Sequence, residues 1–244
     1  TPDRLSEKLG GKKFTAHARW WDKNYKYSHK FEMIEENGWV MPTTQNFWDY
    51  VMKTAKKYNI FVYEQDWMFN QYDHFTHLRC KIGNHAKWLA QMNRAAENQG
   101  IKIQYCMGTP AQWLESVKFD AVINCRTTRD YHSFMSLKQY IPHFTQNSML
   151  LAAIGKWPFL DTFFASEKQS DMFFQEKWPE IKALMNSLGG GPIAPGDRMG
   201  ELDTEIVYRM CRKDGLLYKP DRPFSAVDLM FVPHSTHYIA TTES

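Results

Sequence analysis

Short apolar runs alternate with amphipathic stretches along this chain in units of about 30 to 40 residues, and this rhythm constrains the fold most. Residues 12–21 alternate as a strand, with Phe14, Ala16, Ala18 and Trp20 on one side. Further strand runs follow at Ile60–Tyr63, Ile101–Met107, Ala121–Cys125 and Phe159–Ala165, with a short one near Pro192 that ends in a glycine-rich turn. Between them lie helical patterns. The first has Thr43 or Thr44 as N-cap, carries Phe47, Trp48, Val51, Met52 and Ala55 on one face, and ends near Tyr58. The second carries Trp88, Leu89, Met92, Ala95 and Ala96 and closes at Gly100.

Thr109-Pro110 opens a short third helix through Val117, and a longer one runs from Leu137 to Ile154. Trp178, Ile181, Leu184, Met185 and Leu188 mark another, with Pro179 in its first turn, where proline is tolerated. The last passes through Leu202, Ile206, Val207 and Met210 and ends at Asp214-Gly215. Residues 22–38 and 68–84 show no period and read as loops, and residues 224–244 read as one or two strands of different character.

Repeated βα units imply a parallel sheet with helices packed on it. No GxGxxG or GxxxxGK[ST] follows any strand, so a nucleotide-binding doubly wound sheet has no positive support. A TIM-type barrel fits better, although it needs eight strands and about six are visible.

At 244 residues the chain is long enough for a sizeable core. The net charge of +3 is scattered over short pairs such as Lys12-Lys13, which gives no footprint for nucleic acid. No apolar run reaches the ~18 residues of a membrane span. No signal-peptide pattern stands at the start, which fits an intracellular protein or a mature or trimmed fragment. Cys80, Cys106, Cys125 and Cys211 are too scattered for a disulfide scaffold, and no Asn-x-Ser/Thr sequon occurs. The residues leave the compartment open, with a secreted or lysosomal location preferred to a cytoplasmic one.

Two acids stand at strand ends with one strand between them, Asp66 and Asp130. Alternate strand ends of a barrel face each other, so two such carboxylates could act as nucleophile and acid/base of a retaining glycosidase, which holds them ~5 Å apart. Each could equally cap a following helix or pair with a neighbouring arginine, as could Asp161 and Asp197. Nine tryptophans offer stacking surface for sugars as well as core. His74, His77 and Cys80 have a spacing that metal ligands could use, but no matching second pair stands nearby and no metal or other cofactor is expected.

The motifs Tyr63-Glu64-Gln65-Asp66-Trp67, Gln104-Tyr105-Cys106-Met107, Arg126-Thr127-Thr128-Arg129-Asp130-Tyr131 and the stretch from Gly190 to Asp197 occur in this order. Together they resemble the clan of α-galactosidases and raffinose-synthase-like proteins, over about residues 40 to 222. The resemblance implies a retaining glycoside hydrolase or transglycosidase on a (β/α)8 barrel with a β-sheet domain after it. It makes Asp66 the nucleophile and Asp130 the acid/base, with Glu64, Trp67, Tyr105, Arg126 and Asp197 as substrate contacts and a carbohydrate as partner. It numbers the strand of Asp66 fourth. The barrel then lacks its first two strands, and those would come from a longer polypeptide or another subunit. Residues 1–222 would be the partial barrel and 223–244 the start of the C-terminal β domain.

Three positions depart from the family pattern. Glu64 stands where the family usually has a lysine two residues before the nucleophile, Met107 stands after Cys106 where some members have a substrate-binding glutamate, and Arg129 directly precedes Asp130. These departures support an alternative, a non-catalytic carbohydrate-binding or structural relative.

Overall fold

A computed structural model describes residues 2–25, 28–130, 136–167, 169, 175–233 and 237–243. The chain forms two compact units, residues 1–125 and 126–244.

The first unit opens with helix α1 (Pro2–Lys8) and strand β1 (Phe14–Ala18). A hairpin of β2 (Met33–Glu36) and β3 (Trp39–Pro42) follows, then helix α2 (Gln45–Lys57) and strand β4 (Ile60–Gln65). Helices α3 (Met68–His74), α4 (Thr76–Arg79) and α5 (Asn84–Gln99) lead to strand β5 (Lys102–Tyr105). Helix α6 (Pro110–Glu115) leads to β6 (Val122–Arg126). Strands β1, β4, β5 and β6 lie side by side in that order, all parallel.

Register sorts the side chains by face. Ala16, Tyr63, Ile103 and Val122 form one row across the sheet. This row lies on the face packed by α2 and α5, where Phe47, Trp48, Met52, Leu89, Met92 and Ala96 are buried. His17, Glu64, Gln104 and Asn124 form the neighbouring row. Successive residues of a strand point to opposite faces, so His17, Glu64 and Gln104 turn away from the helices, while on β6 the register shifts and Asn124 stands two residues from Val122. A sheet buried on both faces reads as a continuous apolar run; a polar row at this level fits the inner face of a barrel. No closed barrel is formed among the described residues.

Several sequence expectations hold. Thr109 caps α6 in a complete capping box, with its hydroxyl accepting from the Gln112 amide while the Gln112 side chain accepts from the Thr109 amide. Gly100 ends α5 in the left-handed conformation, at φ 63°. Two loop expectations are corrected. Residues 22–38 contain β2, which turns into β3 at Asn37-Gly38, both at positive φ (53° and 79°). That dipeptide favours the hairpin turn whose twist matches paired strands. Residues 68–84 hold α3 and α4, which bury Met68, Gln71 and Leu78, with Phe75 buried between them. Neither helix has a side-chain N-cap, so the usual start marker is missing.

The second unit contains α7 (Leu137–Ala153), β7 (Trp157–Phe159), α8 (Pro179–Gly189) and α9 (Thr204–Arg209). It closes with the antiparallel pair β8 (Arg222–Ala226) and β9 (Ala240–Glu243). Tyr140, Phe144, Leu160, Met185 and Phe224 form one core cluster, so the terminal strand pair packs on α7 and α8. Phe163, Ala165, Ala183, Ile206 and Met210 form another.

The strand expected over Phe159–Ala165 is shorter and earlier. Beyond Phe159 it is followed only by a single parallel bridge between Phe163 and Pro195, which is also all that remains of the strand expected near Pro192. The reason is local. Pro192 and Pro195 have no N–H to give a ladder, and Asp197 takes the amides of Ala165 and Ser166. Asp161 accordingly lies in the segment after β7, not inside a strand. Gly190, at φ 72°, and Gly191 have no room for a side chain, since a Cβ would strike the Trp157 ring and the Pro158 carbonyl respectively.

Lys182 is buried in α8 with its Nζ 3.1 Å from the centroid of the Tyr140 ring. Burial lowers its pKa to about 8, partly offset by Glu176. Because the folded value is depressed, the neutral form is favoured in the native state. Native stability therefore rises as pH increases from about 8 toward the ordinary lysine range, and falls back as pH drops. Lys182→Met removes that titration. In urea unfolding, the stability of the wild-type chain relative to this variant should rise by roughly 2–3 kcal/mol between pH 8 and pH 10.5. A difference that stays flat over this interval refutes the assignment.

Candidate active site

Asp66 follows β4 directly, and its backbone amide still donates to the Ala18 carbonyl at the end of β1 (2.8 Å). This extends the ladder by one residue and sets the Asp66 side chain beside residues of β1. His17 Nε2 lies 3.0 Å from Asp66 Oδ2, and Arg19 Nε lies 3.7 Å from the same oxygen. Oδ1 accepts from the Trp67 amide at 2.7 Å. The residue is 5% exposed, so the carboxylate is held inside a shell of donors. Behind it Gln65 and Gln71 bind the backbone: both side chains donate to the Arg19 and Asp66 carbonyls.

Trp67 sits at φ 55°, a left-handed conformation that a residue with a large side chain rarely adopts. Such local strain, of order 1–3 kcal/mol, concentrates where structure serves a site. It places the indole against two others: Trp20 at 4.1 Å and Trp39 at 5.8 Å between ring centroids. Trp39 also packs against His74 at 4.3 Å, and the Arg19 guanidinium lies 5.7 Å from the centre of the Trp67 ring. All three tryptophans are half-buried, so the cluster presents aromatic surface next to Asp66. An open cleft of about 530 Å³ runs beside β1, lined by His17, Arg19, Trp20, Trp21, Tyr25 and Tyr58 among others.

Glu64 is half-buried in the polar row, in register with His17 and Gln104. Tyr105 does not join this group. It is fully buried on the helix-packed face, where its hydroxyl accepts from Asn93 of α5 at 3.0 Å. Burial pushes its phenol far above the ordinary range. Met107 adopts the left-handed conformation, at φ 51°, and its carbonyl accepts from the Phe69 amide. His74 Nδ1 pairs with the Asn70 carbonyl and His77 Nε2 with Asn84. Among the described residues no three His, Cys, Asp or Glu side chains are grouped to hold a metal.

In the second unit, Arg126 at the end of β6 reaches two carboxylates, Asp130 Oδ1 at 2.7 Å and Asp161 Oδ1 at 3.2 Å. The Arg126 side chain is 5% exposed, against 22% for Asp161 and 70% for Asp130. Burial raises the Asp161 pKa, while Arg126 works in the opposite direction. Tyr131, the last residue of the motif that carries Asp130, lies outside the described residues. Asp197 stands apart from this group. Its oxygens accept from the Ala165 and Ser166 amides, each at 2.9 Å, and from the Gln169 side chain at 2.7 Å. It fastens the loop after β7.

The sequence reading did not assign His17, Arg19, Trp20, Trp39 or His74 to the site. Two signals pointed there. The alternation of β1 puts His17 and Arg19 on one face, and the Asn37-Gly38 turn marks the hairpin that delivers Trp39.

The fold is similar to that of a GH27 β-L-arabinopyranosidase from Geobacillus stearothermophilus, with a TM-score of 0.66 at 12% identity over 98% of this chain and 61% of that one. A variant of the same enzyme in complex with arabinose gives a TM-score of 0.69 at 11% identity, over 99% of this chain and 62% of that one. That enzyme is of the melibiase-type clan, so the resemblance read from the motifs is matched by the fold. The chain thus spans about three-fifths of these neighbours. No family model matches the sequence, and no curated protein does.

Asp197→Asn separates a loop fastener from a sugar contact. Weakening charged acceptors for two amides should cost roughly 1–3 kcal/mol in urea unfolding. Sugar affinity, followed by tryptophan fluorescence with arabinose and galactose, should stay unchanged. A variant of wild-type stability with lost affinity reverses the assignment.

Proposed function

We propose that the chain carries the catalytic residues of a retaining glycosidase or transglycosidase acting on an α-linked sugar, the latter as in raffinose-synthase-like relatives. The observation that supports this most is Asp66. It is a buried carboxylate at the end of a parallel strand, gripped by His17 and Arg19 and flanked by half-buried indoles. Asp66 would attack the anomeric carbon while Asp130 protonates the departing oxygen. Asp130 would then deprotonate the water or acceptor hydroxyl that releases the sugar from Asp66. Arg19 and His17 orient the nucleophile, and Trp20, Trp39 and Trp67 supply apolar faces of the kind sugars stack on.

A second reading is favoured by two observations. Glu64 stands where the family has a sugar-binding lysine, and both Asp66 oxygens already have donors. In that reading the tryptophan cluster binds carbohydrate and no bond is cleaved.

Aryl α-galactosides and β-L-arabinopyranosides serve as probes. Asp66→Asn should lower their turnover more than a thousandfold while sugar binding persists. A wild-type chain that binds these sugars and releases no phenol favours the binding reading. Equal turnover by wild type and Asp66→Asn refutes the nucleophile.

A further inference from the structure

Asp161 is a carboxylate that the glycosidase scheme does not use, and its surroundings are more elaborate than a helix cap needs. Its amide donates to Thr128 Oγ1 at 3.1 Å, and Thr128 is itself buried two residues after Arg126. The adjoining Thr127 amide and hydroxyl both donate to the Phe159 carbonyl, at 3.0 and 3.1 Å. The segment after β6 is thereby fixed to the end of β7, and Asp161 is delivered to Arg126 by backbone contacts. Arg126 then faces one carboxylate that is mostly shielded and one that is mostly in water. The shorter contact is with Asp130, but solvent screens it. The Asp161 contact is longer and less screened, so the two compete on comparable terms.

We propose that Asp161 is a positioning residue for Asp130: the two carboxylates divide one buried guanidinium, and the share held by Asp161 decides how firmly Arg126 grips Asp130. Both carboxylates draw on the same guanidinium, so a proton taken up by one leaves more of its attraction to the other. When Asp161 takes a proton, its attraction for Arg126 is lost and Asp130 holds a larger share of the guanidinium. When Asp161 gives it up, Arg126 is shared again. Burial, which raises the Asp161 pKa, puts this exchange above the ordinary aspartate range.

Among the described residues, further titratable and charged groups approach the set from α7 and α8. From α7 come Tyr140, whose phenol is held neutral by burial, and His143, whose pKa is lowered by burial and by Arg129. From α8, Lys182 lies over the Tyr140 ring, with Glu176 as its electrostatic partner. Arg129 adds a positive charge next to Asp130 in sequence.

The inference rests on the proposed role of Asp130 only for its catalytic meaning, so the experiment reads geometry and turnover separately. In the full chain, the Asp161 carboxyl carbon and the Arg126 Nε–Cζ signals are followed by NMR from pH 3 to 8. The Arg126 signals should shift with the Asp161 midpoint, and that component should vanish in Asp161→Asn and return in Asp161→Glu. The Asp161 midpoint should also fall by roughly half a pH unit in Asp130→Asn, where one like charge is gone. Arg126 signals indifferent to the Asp161 titration overturn the proposal. So does a component that persists in Asp161→Asn.

The wild-type titration stands even if Asp161→Asn fails to fold. For turnover, Asp161→Asn should lower kcat/KM at least tenfold for an aryl glycoside with a poor leaving group, and less than threefold for an activated one. Equal losses on both overturn the positioning role. Absence of turnover in the wild-type chain defeats the glycosidase reading alone, because the NMR outcome still decides whether Asp161 and Asp130 divide Arg126.

Discussion

The pairing of β4 with β1 is the contact on which the candidate site depends. Its register sets His17 opposite Glu64 and Ala18 opposite Gln65, and the ladder continues through the Asp66 amide to the Ala18 carbonyl. A slip of one residue would turn every side chain of β4 to the other face. Tyr63 would leave the helix-packed core and Glu64 would enter it. The grip of His17 and Arg19 on Asp66 would be lost as well. Burial of Tyr63 against α2 therefore fixes the position of a carboxylate that lies three residues away.

The two faces of this sheet divide the work. On one, aromatic and methionine side chains of α2 and α5 give the unit its core. On the other, a row of His17, Glu64 and Gln104 keeps polar groups at the level just beneath Asp66. Tyr105 belongs to the first face, one residue along from Gln104 on the second. Alternation along β5 thus puts Tyr105 against Asn93 of α5 and Gln104 on the opposite side.

Much of the fold was legible because its elements carry local marks. The capping box at Thr109, the αL glycine at 100 and Pro179 in the first turn of α8 each state a boundary by a mechanism that operates within a few residues. Elements without such marks were missed. Helices α3 and α4 lack side-chain caps, and the strand expected through Asp161 has an apolar composition while Asp197 and two prolines consume or remove its hydrogen-bonding partners. Asp66 was readable as an acid ending an apolar run. Its partners His17, in β1, and Arg19, just past its end, stand some fifty residues earlier, and nothing in the run itself names them. The same holds for Asp161, whose tie to Arg126 depends on the pairing of the segment after β6 with the end of β7.

The contact between His17 and Asp66 closes a loop of 49 residues, whereas Trp39 reaches its hairpin partner strand through a turn of two. Loop closure costs entropy that grows slowly with length, and only contacts made across the closed loop return it. The hairpin that carries Trp39 can thus form locally, while the grip on the carboxylate and the place of Trp67 in the aromatic wall exist only once helix α2 has brought β4 back beside β1. A chain able to hold Asp66 in this way has already completed the topology of its first unit, so the carboxylate's shell is a report on global assembly written at a single residue.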